Sequence, residues 1–499
     1  MLFNSLPFIL IFMPITVLVF WFFSRNHSVA GRTILAIASF IFYAYWDWRF
    51  LPLLVGSIVV NYFFGMAIAE RVSTRDQVSG RSLFILGISF NLMLLSVFKY
   101  ANLLERTSHD FLGTPIVLPT FILPIGISFF TFTQIAFLVD SYKEGVREYR
   151  FWDYALFVSY FPHQIAGPIL HHKEMMSQFR DSLLARVTMP NLGLGMSIFI
   201  LGLSKKVLLA DTFETFASPV FNAAENGVVI MFVEAWGAVL AYALQLYFDF
   251  SAYCDMAIGI SLLFGIRLPS NFDSPYKAAN IVEFWRRWHM TLSRFLKDYL
   301  YIPLGGNRKG ISRRYLNLLV TMGLGGLWHG ASWTFLFWGL LHGIYLAINH
   351  AWLSILPRSS NLRGTMSYHA MSWGLTFVAV LIGWVFFRAI TFPGALAMIG
   401  AMFGNSGIAL PPQLIGHEYS GFFYSNGAWL GAVGGGRALF IIFVGLLFVL
   451  FAPNLQQIFA LQYPVLDKTS LGGNTRVVWR PNPVWALLLG ILGGLSITR

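Results

Sequence analysis

Long apolar runs separated by short polar segments make up most of the 499-residue chain. A helix that crosses a membrane needs about 20 mostly apolar residues. Several runs are shorter than that, so some segments must tilt or enter the membrane without crossing it. The pattern predicts about ten to twelve crossings together with re-entrant or interfacial helices. The candidate segments are 7–23, 33–46, 50–69, 83–99, 118–139, 190–210, 228–248, 251–266, 332–350, 370–389, 438–452 and 483–497.

The composition excludes an ordinary soluble enzyme. Hydrophobic residues make up 57% of the chain and charged residues only 11%, whereas about a quarter of the residues in a soluble domain are charged. The apolar runs are much longer than the roughly 10 alternating residues of a membrane β-strand, so the spans are expected to be helices. We therefore expect an all-α polytopic membrane protein that forms one domain over residues 1–499.

The net charge of +12 has two interpretations. It could indicate nucleic-acid binding, but basic residues also accumulate in the cytoplasmic loops of membrane proteins. Basic and neutral loops alternate after the first segments, which places the N-terminus outside and the basic loops in the cytoplasm. Residues 1–23 are uncharged and lack the basic start and cleavage site of a signal peptide, so we expect a retained first membrane helix. No nucleic-acid partner is expected.

The most unusual stretch is the basic region at residues 267–314, which contains ten basic and three acidic residues. Within it, apolar residues recur at helical spacing from Ile281 to Tyr299, which predicts one amphipathic helix. This helix is expected to lie at the cytoplasmic interface or to be wedged among the spans. Pro303 and the pair Gly305-Gly306 are expected to end it.

Two histidines lie in apolar surroundings and are candidate catalytic residues. His329 follows Trp328 between two apolar segments, and its neighbouring glycines suit a broken or re-entrant helix. His289 lies on the apolar side of the predicted amphipathic helix. For each, a purely structural role remains open, because a buried histidine often only bonds a neighbouring carbonyl. As a pair, they could form a general-base site in which neutral imidazole takes a hydroxyl proton while the hydroxyl attacks a thioester.

The basic region also offers candidates for binding the phosphates of a donor. Arg286 and Arg287 lie on the predicted helix, and Asn307, Arg308 and Lys309 follow the glycine pair, where cations and backbone amides could meet a phosphate. Alone, a loop of this composition is a weak signal. The sequence contains no motif for a metal or a bound nucleotide cofactor.

The polar residue Asp249 lies in an apolar run beside Phe250 and Ser251. It could be a proton-relay group. Helix capping, or pairing with an arginine between residues 286 and 294, is the alternative that we favour.

Several motifs resemble those of the membrane-bound O-acyltransferases. They lie throughout most of the chain and are densest between residues 267 and 330, and their spelling is closest to the bacterial branch that includes the alginate O-acetyltransferase membrane subunit. The matching stretches are Leu123–Phe132, Phe161–Pro168, Asp249–Ser251, Asn271–Tyr276, Glu283–Ser293, Asp298–Arg308, Leu327–Gly330 and Trp384–Ala389.

This resemblance implies a fold, a site and a reaction. The fold is a ring of tilted helices around a thinned centre, with a funnel that joins the two membrane faces and a catalytic core at about residues 118–350. The nearly universal catalytic histidine of the family falls on His329, and its second histidine or asparagine falls on His289. Trp328, Asp249 and Asn271 lie in matching motifs and are expected to support the site.

The resemblance also implies partners. A cytoplasmic donor, acetyl-CoA or alternatively an acylated carrier protein, would supply acetyl groups across the bacterial inner membrane, with no bound cofactor or metal. A periplasmic SGNH-type acetyltransferase or another polysaccharide-modification protein would complete the transfer to an exopolysaccharide such as alginate or cellulose.

Several alternatives remain open. Peptidoglycan and teichoic acid are alternative acceptors, and a polysaccharide-export transporter is an alternative of another class. The reaction could pass through an acyl-histidine or transfer the acetyl group directly. Because relatives often have a further aromatic-rich segment after the point where this chain stops, the last helix is expected to be short or the sequence incomplete.

Overall fold

The computed structural model describes residues 1–24, 28–113, 119, 121–147, 150–180, 188–355, 361–408, 435–462, 464–466 and 477–499. Within these residues the regular structure is helical and contains no strand, which confirms the all-α prediction. Contacts divide the chain into two compact units that alternate along the sequence. The first comprises Met1–Leu203, Tyr253–Ser270 and Leu455–Arg499, and the second comprises Ser204–Ala252 and Asn271–Asn454.

The first unit contains most of the helices in the first 200 residues. Its described α-helices are α1 (Met13–Ser24), α2 (Ser28–Ala44), α3 (Leu51–Ser73), α4 (Gln77–Leu95), α5 (Ala101–Leu112), α6 (Ile127–Glu144), α7 (Phe151–Ser159), α8 (His172–Arg180) and most of α9 (Met189–Ser204), joined by α19 (Leu455–Ile458) and α20 (Pro483–Thr498) near the C-terminus.

Buried polar side chains join the helices inside the first unit. Asn61 on α3 and Asn91 on α4 exchange amide hydrogen bonds. Gln134 on α6 donates to Ser57 on α3 over 2.9 Å. Such paired polar groups hold helices together where the surrounding lipid offers no hydrogen-bond partner.

The second unit contains every candidate site residue. Its described α-helices are α10 (Asp211–Glu225), α12 (Ile281–Arg287), α13 (Met290–Leu296), α14 (Ile311–His329), α15 (Trp333–Ile355), α16 (Met366–Arg388), α17 (Phe392–Met402) and α18 (Gly435–Phe451). The long helix α11 (Phe232–Leu263) contributes residues to both units. A π-helical segment, Lys297–Tyr301, continues α13.

Helices α14 and α15 form a tightly packed hairpin because glycines line their contact. A Cβ atom on Gly326 would lie 2.2 Å from the carbonyl oxygen of Phe335, and one on Gly339 would lie 2.2 Å from that of Met322. Real Cβ atoms do not come so close, so only glycine permits this backbone approach. Gly339 and Gly343 are four residues apart, the small-residue spacing by which membrane helices pack closely.

Five of the described helical segments are long and apolar enough to cross a membrane: Trp48–Ser73, Gln77–Ser108, Met189–Glu225, Phe232–Leu263 and Met366–Arg388. Shorter apolar helices of 10–17 residues lie at Phe8–Ser24, Val29–Ala44, Phe392–Met402, Gly435–Phe451 and Pro483–Thr498. Many helices also expose large apolar side chains, as α18 does with Phe440, Phe443 and Phe451. This is the arrangement expected for helices surrounded by lipid, while the number of crossings stays a prediction.

Two of the expected helix boundaries are wrong. Segments 228–248 and 251–266 are one helix, α11, because the polar side chains between them are accommodated: Ser251 bonds the Tyr247 carbonyl, and Asp249 forms an ion pair. Segment 118–139 becomes helical only at Ile127, after a left-handed turn at Gly126 with φ 70°. Residue 118 lies outside the described residues.

The prediction of one amphipathic helix from Ile281 to Tyr299 is also wrong, because the helix is broken in the middle. α12 ends at Arg287, Trp288 is extended, and His289 adopts a left-handed conformation before α13 begins. The break lies at the second candidate histidine.

Candidate active site

His329 is the last residue of α14 and lies beside the tight turn of the α14–α15 hairpin. The backbone leaves the helix at Gly330, which is extended and packs against the ring of Phe335. The His329 side chain is half-buried. Its ring centroid lies 5.0 Å from that of Trp328 and 5.2 Å from that of Trp338. The histidine is thus held by aromatic walls while part of it remains accessible.

His289 sits at the break between α12 and α13 in a strained backbone conformation. Its φ of 44° and ψ of 54° lie in the left-handed region, which side chains other than glycine seldom adopt. Such strain persists where the surroundings fix it, often at functional sites. Without this break, helical geometry would continue from Arg287 into α13 and carry the side chain elsewhere. The side chain is 1% exposed.

Asn271 determines which nitrogen of His289 carries the proton. The Asn271 Oδ1 atom accepts from the backbone N–H of Thr291 over 3.2 Å and from the Thr291 hydroxyl over 2.9 Å. Because a backbone N–H can only donate, this atom must be the amide oxygen. His289 Nδ1, 3.1 Å away, therefore donates its proton to the same oxygen. In the neutral ring, Nε2 is then the unprotonated nitrogen, and it has no hydrogen-bond partner.

The two histidines face each other closely enough to share a reactant. Their ring centroids are 6.1 Å apart, and the rings are inclined by 64°. A small reactant that entered between the rings would contact both of them. Phe250 and Trp328 pack against His289, with their ring centroids 4.7 and 6.1 Å from that of the histidine. The sequence-predicted residues His289, His329, Trp328 and Asn271 thus lie at one site.

Another histidine, His342, lies behind this pair. It is on α15, one helical turn beyond Trp338, and it is 0% exposed. Its ring centroid lies 5.0 Å from that of Trp338. Sequence reasoning did not single it out, although its position between Gly339 and Gly343 is a signal that could have placed it on the packed face of α15.

A basic cavity of about 520 Å³ lies beside the start of α14. Gly305, Gly306 and Gly310 all have positive φ values, so the loop that forms the cavity depends on glycine. The Asn317 side chain donates to the carbonyl of Gly306 over 2.9 Å and fixes the loop to α14. The cavity is lined by Lys297, Tyr301, Ile302, Gly305, Gly306, Asn307, Arg308, Lys309, Arg314 and His350.

The two arginines of α12 differ in their surroundings. Arg287 is paired with Glu283 over 2.8 Å and lies 3.7 Å from Asp273, so its charge is compensated within the unit. Arg286 is exposed. The positive charges of Arg286 and Arg314 both interact electrostatically with His350, which lines the cavity. Of the five residues expected to bind a donor, Asn307, Arg308 and Lys309 line the cavity directly and Arg286 adds positive charge near it.

Asp249 is not paired with an arginine between residues 286 and 294. It forms an ion pair with Lys206 over 2.7 Å, and Lys206 also pairs with Asp211 over 2.8 Å. The expected arginine pairing is wrong because Lys206 lies in a π-helical segment, Lys205–Ala210, that carries it to α11. The contact of α11 with the site comes instead from the next residue, Phe250, whose ring packs on His289.

Comparison with known proteins identifies the family of this chain. The family model of the membrane-bound O-acyltransferases matches residues 40–391, more than half of the chain. The chain belongs to this family. It is therefore a membrane acyltransferase that passes through the bilayer several times, and the export-transporter alternative is not supported.

This acyltransferase is similar to relatives with different acceptors. It is 43% identical over 442 residues to the peptidoglycan O-acetyltransferase of Helicobacter pylori, covering 82% of this chain and 81% of that protein. It is 42% identical over 410 residues to the probable alginate O-acetylase AlgI of Pseudomonas aeruginosa, covering 81% and 75%. The teichoic acid D-alanyltransferase of Streptococcus thermophilus is 30% identical over 244 residues, covering 46% and 57%.

Proposed function

We propose that this protein is an O-acetyltransferase that supplies acetyl groups for a polysaccharide of the bacterial envelope, from a thioester donor on the cytoplasmic side of the inner membrane. The observation that carries the proposal is the histidine pair. His289 has its proton fixed on Nδ1 by Asn271, its buried Nε2 has no hydrogen-bond partner, and its ring centroid lies 6.1 Å from that of the half-buried His329. This arrangement suits proton removal from a hydroxyl group.

The reaction that we propose is direct transfer. The acceptor hydroxyl oxygen forms a bond to the acetyl carbonyl carbon, and the carbon–sulfur bond of the thioester breaks. His329, the more accessible ring, takes the hydroxyl proton and returns it to the departing thiolate. A hydroxyl group has only one proton, so His289 does not share it; the His289 ring lies beside that of His329 and confines the hydroxyl oxygen next to it. A general base of this kind contributes about 10²–10⁴-fold to the rate.

The lining of the basic cavity is the reason to propose a donor that carries phosphates. Arg308 and Lys309 bring positive charge to a loop whose glycines expose backbone amides, the combination that holds phosphate groups. Lys297 lines the cavity and directly follows Leu296. The Leu296 side chain packs where a Cβ atom on Gly325 would lie. Gly325 is one helical turn before His329, so this end of the cavity is the one nearer to the histidine. Acetyl-CoA is the donor that we propose, and an acylated carrier protein is the alternative.

The relatives support a polysaccharide as the acceptor. The peptidoglycan and alginate relatives are 43% and 42% identical to this chain, and both names describe O-acetylation of a polysaccharide. We propose an exopolysaccharide of the alginate type as the final acceptor, reached through a periplasmic SGNH-type acetyltransferase. Peptidoglycan and teichoic acid are the acceptors to compare it with.

The test is label transfer from radiolabelled acetyl-CoA in membranes that contain the protein, a periplasmic acetyltransferase and candidate glycans. We expect thiol release and labelled glycan with the wild type, and loss of nearly all transfer in His329→Ala. His369→Ala is the matched control, because His369 is an exposed histidine on α16 and its replacement should leave transfer unchanged.

Two results would contradict parts of the proposal. Substantial residual transfer in His329→Ala would remove the catalytic role of that histidine. Label bound to a histidine of the protein would replace direct transfer by an acyl-histidine route. The glycan that becomes labelled identifies the acceptor.

A further inference from the structure

His342 is fully buried in the second unit, yet the proposed reaction does not use it. Aromatic rings surround it, with the centroids of Trp338, Trp285 and Tyr345 at 5.0, 5.3 and 5.5 Å. A leucine or phenylalanine would fill such a site without carrying polar atoms into it. A buried polar group that is only partly satisfied costs stability, so its presence calls for a function.

One nitrogen of His342 has a defined partner. The indole N–H of Trp285 points to His342 Nδ1 at 3.3 Å. Because an indole nitrogen only donates, Nδ1 accepts and the proton of the neutral ring is on Nε2. Nε2 has no hydrogen-bond partner and faces Gly383 on α16, where a Cβ atom would lie only 2.7 Å away. The ring is therefore held on one side by Trp285 and on the other by the bare backbone of Gly383.

The Trp285–His342 pair supports the wall behind His329. Trp338 lies between the two histidines, with its ring centroid 5.0 Å from His342 and 5.2 Å from His329. Trp285 packs on the same Trp338 ring at 5.9 Å. The Trp285–His342 hydrogen bond thus joins α12 to α15 at the level of Trp338. A change there shifts the surface against which the His329 ring rests.

We propose that His342 is a positioning residue for His329, acting through its hydrogen bond with Trp285 and its contact with Trp338. The proposal rests on the proposed acetyl transfer. A displacement of a reacting group by about 1 Å can lower a rate roughly 100-fold. Misplacement of His329 should therefore lower kcat, while donor binding in the basic cavity and the KM for the donor stay unchanged.

The first experiment compares variants that keep or remove the hydrogen bond. His342→Phe keeps the aromatic volume and removes the acceptor, whereas His342→Asn keeps an acceptor close to the position of Nδ1. Trp285→Phe removes the donor. We expect His342→Phe and Trp285→Phe to lower kcat by about tenfold or more with KM within about twofold of the wild type, and His342→Asn to recover much of the loss. The double variant should be no worse than either single variant, because both remove the same bond.

A second readout does not depend on acetyl transfer. The half-buried His329 ring is open to carbethoxylation by diethyl pyrocarbonate, and peptide mass spectrometry measures the modification rate at this histidine alone. We expect a severalfold change in that rate in His342→Phe and Trp285→Phe. Ile348→Ala, an exposed position on the same helix, is the control and should leave the rate and kcat unchanged.

The outcomes separate this inference from the proposed function. If wild-type membranes transfer no acetyl group, the proposed function fails, and the carbethoxylation rate still tests the positioning role. If folded His342→Phe or Trp285→Phe keeps the wild-type kcat and the wild-type His329 reactivity, the inference is overturned. A loss of kcat in His342→Phe that Trp285→Phe does not share, or that His342→Asn does not relieve, also overturns it. Where His342→Phe does not fold, Trp285→Phe decides.

Discussion

Replacement of Asn271 tests how the site prepares His289. The Asn271 oxygen accepts hydrogen bonds from His289 Nδ1, the Thr291 backbone and the Thr291 hydroxyl. All three residues are at most 2% exposed, so water does not replace what Asn271→Ala removes. His289 would then lose the partner that fixes its tautomer and stabilises its left-handed backbone.

The expected effects follow from these bonds. Each buried hydrogen bond contributes about 0.5–1.5 kcal/mol net, and a buried donor left unsatisfied costs about 1–3 kcal/mol. Asn271→Ala should therefore lower the free energy of unfolding by about 2–4 kcal/mol. Removing the partner that orients a functional histidine lowers activity about 10–100-fold in metal sites. We expect a decrease of this size in kcat, with little change in the KM for the donor.

The assay measures thiol release in detergent or in membranes, normalised to the amount of folded protein. Asn271→Asp keeps an acceptor and should retain more activity than Asn271→Ala. Thr291→Val removes only the hydroxyl donor and should change kcat little. If Asn271→Ala has the wild-type kcat at equal amounts of folded protein, the tautomer argument for His289 is wrong.

Two further predictions concern the basic cavity and the hairpin. Charge reversal of Arg308 and Lys309 should raise the KM for acetyl-CoA and leave kcat largely unchanged. Reversal of the exposed Arg313, which does not line the cavity, should have a smaller effect on KM. An unchanged KM in the first variant would mean that the cavity does not bind the donor. Gly326→Ala should destabilise the protein by about 1–3 kcal/mol or more, measured as a lower thermal unfolding midpoint, because its Cβ meets a carbonyl at 2.2 Å. Gly374→Ala on α16, with nothing within 4 Å, should not, and equal midpoints for the two variants would contradict the packing argument.

The sequence predicted the fold class because the signal for it is local. Apolar runs identify membrane helices wherever they occur. The motifs around His289 and His329 are short and specific, and the structure places both histidines beside Asn271 and Trp328. The glycines around His329 indicated a broken or re-entrant helix, and α14 ends at this residue.

What could not be predicted depends on contacts between distant residues. Helical spacing from Ile281 to Tyr299 continues through the break at His289, because periodicity does not report a single left-handed residue that Asn271 stabilises from 18 positions earlier. The ion pair of Asp249 with Lys206 is likewise 43 positions apart. The glycines on either side of His342 could have placed it on the packed face of α15, but its contact with Trp285, 57 positions earlier, could not be predicted.

The geometry of α14 restricts what kind of donor fits the proposed reaction. Arg314 lines the basic cavity, and His329 ends the same helix fifteen residues later. At 1.5 Å per residue, the two are roughly 22 Å apart along the helix axis. A compact acetyl donor held at the far edge of the cavity would not reach the histidine pair. A thioester at the end of a long, flexible pantetheine arm would reach it. The basic loop would hold the phosphates, and the arm would extend along α14 and carry the acetyl group to His329. Acetyl-CoA and an acylated carrier protein share this arm, so the distance favours both over short thioesters and acetyl phosphate. Remote phosphate contacts would then serve to place the thioester at His329.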